Sequence, residues 1–226
     1  MINTETINPS LSQKEAVQKI NERIRSDQFR PSYDGEVLER PMSSSEEFVL
    51  KQGGSVFNYY AGYYSNVTMV ILLLSYSIGS STPIPSLWEY VFLSLSGVFG
   101  WTFVEYWFHR FPYHHGHNKF VMGHLMHHEA PKARIGIPYY ITAVGYLSLY
   151  YLLSMFIDPA RLAVFMAFFA IGYIAYCGIH HGTHHWAFKN RLFKLMKAHH
   201  IVHHHHPDKN FAITFPPWDL VFRTKA

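Results

Sequence analysis

The sequence predicts an all-α polytopic membrane protein, with four transmembrane helices and a cytosolic helical cap rich in histidine. Three observations predict it. Of 226 residues, 49% are hydrophobic and 15% charged, against about 25% charged in an ordinary soluble domain, so lipid is the expected solvent. Four apolar stretches approach the roughly 20 residues that a spanning helix needs. All 17 histidines fall in the windows 109–128, 180–185 and 199–206, each at the same-side end of an expected span.

The first element is a cytosolic arm, 1–50. Ser12-Gln-Lys-Glu15 fits a capping box, the serine accepting from the helix start and the glutamate reaching back. Ala16, Val17, Ile20 and Ile24 recur at helical spacing, predicting an amphipathic helix over 13–25, in water or on a membrane surface. Pro31, Pro41 and the serines 43–45 mark a linker. The arm lacks the short apolar core of a secretory signal, so insertion is expected to be driven by internal segments. Cys177 is the single cysteine, which excludes an internal disulfide framework and a multi-cysteine metal site.

The membrane-embedded domain is expected over 51–226, with spans at about 59–78, 88–108, 136–157 and 162–181. The first holds the unbroken run Val70-Ile-Leu-Leu-Leu74; the second contains Glu89 and Glu105. The loops 80–86 and 158–161 are short enough to pair antiparallel helices. Lys and Arg number seven ahead of the first span, four in 109–135, seven from 186 onward and one, Arg161, in the two short loops together. By the positive-inside rule both termini and the cap, 109–135 and 182–226, face the cytosol. The expected location is a bacterial inner membrane or the endoplasmic reticulum.

Histidine spacing then points to metal. His109 and His114 are five apart across Pro112, which ends or kinks the helix. His124, His127 and His128 stand at i, i+3 and i+4 on one helical face; His180 and His184 share another; His200, His203 and His204 repeat the first pattern. Imidazole is a good ligand for iron, copper, nickel or zinc, and ten nitrogens suit two ions. His115, His117, His181, His185, His199, His205 and His206 are left as supporting or exposed residues. A zinc protease motif beginning at His128-Glu129 fails because its fifth position is Lys132. A histidine-rich metal carrier is the rival class, although its tracts would lack fixed spacing at helix ends.

At these residues the chain resembles the fatty acid hydroxylase/sterol desaturase superfamily, and within it the fatty acid 2-hydroxylase branch. The order His-x4-His, His-x2-His-His, His-x3-His, His-x2-His-His matches that family's signature. So do Glu105-Tyr-Trp-Phe-His109, Tyr176 four before His180, Lys197-Ala-His-His-Ile-Val-His-His204 and the terminal Trp218-Asp219, over about 88–224. Cys177 departs from the pattern, standing where the family often has an acidic residue.

The resemblance implies two iron ions, with zinc possible in purified protein, held by His109, His114, His124, His127, His128, His180, His184, His200, His203 and His204. It implies O2 as co-substrate, a lipid acyl chain drawn from the bilayer and a separate electron donor, a b-type cytochrome or a ferredoxin with its reductase. Nucleic acid is not an expected partner. Sterol, carotenoid or aminolipid oxidation and desaturation use related sites. Glu105, one turn before His109, is expected to orient a ligating imidazole or to pair with a nearby Lys or Arg. Tyr176 is expected to donate a hydrogen bond to substrate or oxidant, or to anchor at the interface. Trp218 is expected to pack the tail and Asp219 to order its turn.

Overall fold

The computed structural model describes residues 32–33, 36–37, 48, 51–80, 85–114 and 119–226. The amphipathic helix expected over 13–25, the linker prolines 31 and 41, the serines 43–45, and His115 and His117 lie outside the described residues. The regular structure of the described chain is helical apart from a short hairpin, in which β1 (Ser32–Tyr33) pairs antiparallel with β2 (Glu36–Val37). After helical residues at 48 and 51–53 come α1 (Val56–Gly79), α2 (Leu87–Arg110), α3 (Lys119–Glu129), α4 (Tyr139–Ser154), α5 (Pro159–His185), α6 (Arg191–His205) and α7 (Pro217–Val221).

Three of these, α1, α2 and α5, are long and apolar enough to cross a membrane, and the chain is an integral membrane protein. The third expected span, 136–157, appears as the 16-residue α4. Its start has a local cause. Pro138 drives Ile137 out of the helical region of backbone space, and the Gly136 N–H is taken by the Gly53 carbonyl at 3.0 Å instead. The fourth span is longer than expected at both ends. Asp158 caps it by accepting from the Arg161 N–H, with Pro159 in the first turn where its missing N–H costs nothing. At its far end the helix runs on to His185, which keeps His180 and His184 on one continuous face.

The chain divides into two compact units. The first comprises Met1–Tyr59 and Phe108–Pro138. Within it Asn58 donates from Nδ2 to the Ile137 carbonyl at 3.2 Å, tying the start of α1 to the segment after α3. Phe108, Tyr113 and Phe120 pack edge to face or tilted around the turn that follows α2, and Met126 is fully buried on α3.

The second unit comprises Tyr60–Trp107 and Tyr139–Ala226. Its centre is α5, whose small residues Ala160, Ala163, Ala167 and Ala170 are buried. Between apolar helices in lipid the drive to associate is close packing rather than escape from water, and small residues permit it. A Cβ on Gly97 would meet the Phe169 backbone nitrogen at 2.9 Å, and one on Gly172 would meet the Trp101 Cβ at 2.7 Å. So α2 and α5 touch nearly backbone to backbone. Leu73 of α1 and Tyr146, Tyr150 and Leu153 of α4 close over Leu162 and Met166 of α5. Aromatic residues of α5 join this packing, with Phe169 and Tyr173 against Trp101. At the end of α2 remote from the histidines, Arg161 pairs with Glu89 at 2.5 Å. Phe92, Leu95 and Phe99 of α2 stay exposed, a surface suited to acyl chains.

Candidate metal centre

Within the first unit, three chain segments bring four imidazoles together. His109 ends α2, His114 follows the turn containing Pro112, and His124 and His128 stand one turn apart on α3. The His124 Nε2 lies 3.0 Å from the Nε2 atoms of His109, His114 and His128 alike. One nitrogen of each of the four lies within 4.8 Å of the others. Tyr113 stacks on the His124 ring at 4.9 Å, with 19° between planes, and His127 is buried on the same helix.

Within the second unit, two helices supply four more. His180 and His184 are one turn apart at the end of α5; His200 and His204 are one turn apart on α6. The His200 Nε2 lies 2.9 Å from that of His184 and 3.1 Å from that of His204, and one nitrogen of each of the four again lies within 4.8 Å of the others. His203, on α6, is buried, and its Nδ1 donates to the Lys209 carbonyl at 2.7 Å. The neutral ring then carries its lone pair on Nε2.

These contacts fit a shared cation better than hydrogen bonding. A ring nitrogen offers either one N–H or one lone pair, so His124 Nε2 cannot bond to three other nitrogens at once. Two nitrogens each about 2.1 Å from one ion and at right angles to it stand about 3.0 Å apart, the spacing observed. Electrostatics agrees. Burial, followed by the nearby His114, holds His124 well below the usual imidazole range. Burial, then His180, does the same to His200. Burial drives His204 down to about 2 and His203 to about 4, the latter against the opposing pull of the Lys209 carbonyl and Asp219. Neutral imidazoles with lone pairs turned inward are the form that ligates metal.

The other expected site residues have definite places. Tyr176 lies one turn before His180 and stacks on its ring at 5.6 Å, with 23° between planes. The Glu105 carboxylate accepts from the Ile213 N–H at 2.6 Å, the Thr214 N–H at 3.0 Å and the Thr214 hydroxyl. It holds the C-terminal tail, where the sequence suggested an imidazole or a Lys/Arg partner. Trp218 packs the tail onto α2, donating from Nε1 to the Thr102 hydroxyl at 3.0 Å and meeting Phe99 tilted and Phe103 edge to face. Two features escaped the sequence. His199, set aside as a supporting or exposed residue, contacts Asp219 at 2.9 Å, and the partner of His203 is a backbone carbonyl, which leaves no mark in residue identity.

The family model for fatty acid hydroxylase matches residues 94–224. A dihydroceramide fatty acyl 2-hydroxylase of Arabidopsis thaliana is 33% identical over 57% of this chain and 58% of its own length. The fatty acid 2-hydroxylase of Rattus norvegicus is 32% identical over 72% of this chain and 47% of its own. The chain thus spans about half the length of these relatives. The hydroxylase domain visible in the structure of full-length scs7p superposes with a TM-score of 0.67, covering 100% of this chain and 97% of that one at 18% identity. The two share a fold.

Proposed function

We propose, because this chain belongs to the fatty acid hydroxylase family, that it is a membrane di-iron monooxygenase placing a hydroxyl group on a lipid acyl chain of fatty acid or sphingolipid type. The observation that carries the reading is the pair of four-histidine clusters with nitrogens about 3 Å apart. The named activities of the plant and rat relatives supply the substrate class.

Overall, R–H, O2, two electrons and two protons give R–OH and water. Bound iron supplies the oxygen-activating chemistry that no side chain can. The protein supplies the rest. Of the ten expected ligands, His109, His114, His124 and His128 would hold one ion, and His180, His184, His200 and His204 the other, with His127 and His203 completing the set. Zinc can occupy the same donors. Burial keeps His124, His200, His203 and His204 neutral, so protons do not compete for their lone pairs. Tyr176, stacked on His180, is suited to donate a hydrogen bond beside the reacting chain. Glu105 acts by fixing the tail. The electrons come from a separate donor, a b-type cytochrome or a ferredoxin with its reductase.

The membrane arrangement belongs to the same reading. An arm over 1–50 precedes the hydroxylase domain, 51–226. At about 1.5 Å per residue, the 16 residues of α4 cover roughly 24 Å of a hydrocarbon core about 30 Å thick, and the flanking apolar residues complete a fourth span. The Lys/Arg distribution puts both termini and the histidines in the cytosol.

The test is direct. Protein reconstituted with iron under anaerobic conditions, then given a reductant, isotopically labelled O2 and a mixture of fatty acids and ceramides, should yield lipid carrying one labelled oxygen atom. Label appearing only in water, or desaturated product without label, would contradict hydroxylation.

A further inference from the structure

The C-terminal tail is built around one buried carboxylate. Asp219 is 0% exposed. Its Oδ1 accepts from the Phe211 N–H at 2.9 Å and the Thr224 hydroxyl at 2.7 Å. Its Oδ2 accepts from the Ala212 N–H at 2.9 Å and meets His199 Nε2 at 2.9 Å. Its own carbonyl accepts from the N–H groups of Thr224 and Lys225, at 2.8 and 3.1 Å. A single side chain thus gathers both ends of the tail and fastens them to α6.

The same turn reaches a histidine. Asn210 adopts a left-handed backbone, φ 55°, a conformation asparagine tolerates better than most residues. Its amide donates to the His199 carbonyl at 3.2 Å, and its N–H donates to the Thr224 carbonyl at 2.8 Å. That reversal presents the preceding carbonyl, of Lys209, to His203 Nδ1 at 2.7 Å. On one side of the Lys209–Ala212 turn stand two amides held by Asp219; on the other stands the group that sets the His203 tautomer. His199, the other attachment of Asp219, directly precedes His200 on α6.

We infer that Asp219 is a positioning residue for the α6 histidines. It fixes the turn whose Lys209 carbonyl leaves the His203 lone pair on Nε2, and through His199 it fixes α6 at His200. This inference rests on the reading that the histidine clusters hold metal. Partners that orient ligating histidines typically contribute 10- to 100-fold in metal affinity. The substitution Asp219→Asn would turn one acceptor into a donor facing an N–H that already donates, so the turn would have to move.

Cobalt(II) serves as the probe, loaded anaerobically into the purified full-length chain. Its absorption reports ligand number and geometry, and chelator competition reports affinity. Wild-type protein should bind cobalt at two sites. In Asp219→Asn cobalt binding should weaken by about 10- to 100-fold with an altered absorption band. His199→Leu should weaken cobalt binding by a smaller factor, and His199→Gln, which restores an N–H donor, should recover it. If Asp219→Asn lowers the melting temperature yet the folded protein binds both ions with wild-type affinity and absorption, Asp219 is merely structural and the inference fails. Should Asp219→Asn fail to fold, His199→Leu decides: unchanged cobalt binding overturns the inference. Wild-type protein that takes up no cobalt would instead sink the metal reading beneath it, a distinguishable result.

Discussion

The two histidine clusters are assembled by different means. The first draws its four imidazoles from residues 109–128, within 20 consecutive positions, and depends on a turn at Pro112 between the end of α2 and the short α3. The second pairs two helices, each offering histidines one turn apart, and α6 is braced by a tail that folds back on it. A cluster made from neighbouring sequence needs little loop closure but inherits the pliancy of its turn. A cluster made from packed helices gains rigidity from contacts far away in sequence, at the cost of depending on them.

The largest expected effect is at the hub of each cluster. Because His124 and His200 face the other imidazoles of their sets, alanine at either should lower hydroxylated product by well over about 100-fold, more than loss of an orienting partner costs. The double variant should be hardly worse than either single one, since a reaction that needs both ions is already lost when either is missing. Additive losses would show that the clusters work separately.

Acid should act next. The imidazoles of His203 and His204 have folded values, about 4 and about 2, below the ordinary 6.5. Below pH 6.5 the unfolded chain takes up protons that the folded one refuses, so stability present above pH 6.5 is lost as pH falls towards 4. The melting temperature of metal-free protein, followed from pH 7.5 to 4.5, should fall across that window; a flat profile would mean that these rings are already solvated. His200→Ala and His203→Ala, made separately, should flatten part of the slope, whereas His205→Ala should not.

A smaller effect separates the clusters. Tyr113 stacks on His124, and such aromatic pairs contribute about 0.5–1.5 kcal/mol beyond burial. Tyr113→Leu should therefore weaken the first ion by roughly 2- to 10-fold and leave the second unchanged, as read by chelator competition. The smallest effect is expected at His205, exposed on α6, where alanine should change neither metal content nor product.

Much of this was legible in sequence because its signals are local. Spacings of three and four mark shared helical faces, and His124/His128, His180/His184 and His200/His204 stand where that rule puts them. Apolar runs gave α1, α2 and α5 to within a few residues at most ends. Where the sequence fell short, the cause was tertiary or a backbone effect. The helix over 136–157 starts only at Tyr139 because Pro138 keeps Ile137 out of the helical region. The partners of Glu105 lie more than 100 positions away, and two of its three hydrogen bonds come from backbone N–H groups. His199 looked redundant beside His200 because spacing can select a ligand but cannot reveal that the remaining ring meets Asp219.

The central claim is that each cluster holds its own metal ion, and metal stoichiometry tests it most directly. Iron titrated anaerobically into purified chain should saturate at two ions, and at one ion in both His124→Ala and His200→Ala, with the retained ion differing spectroscopically between the two variants. Saturation of the wild-type chain at a single ion, or identical spectra from the two variants, would contradict it.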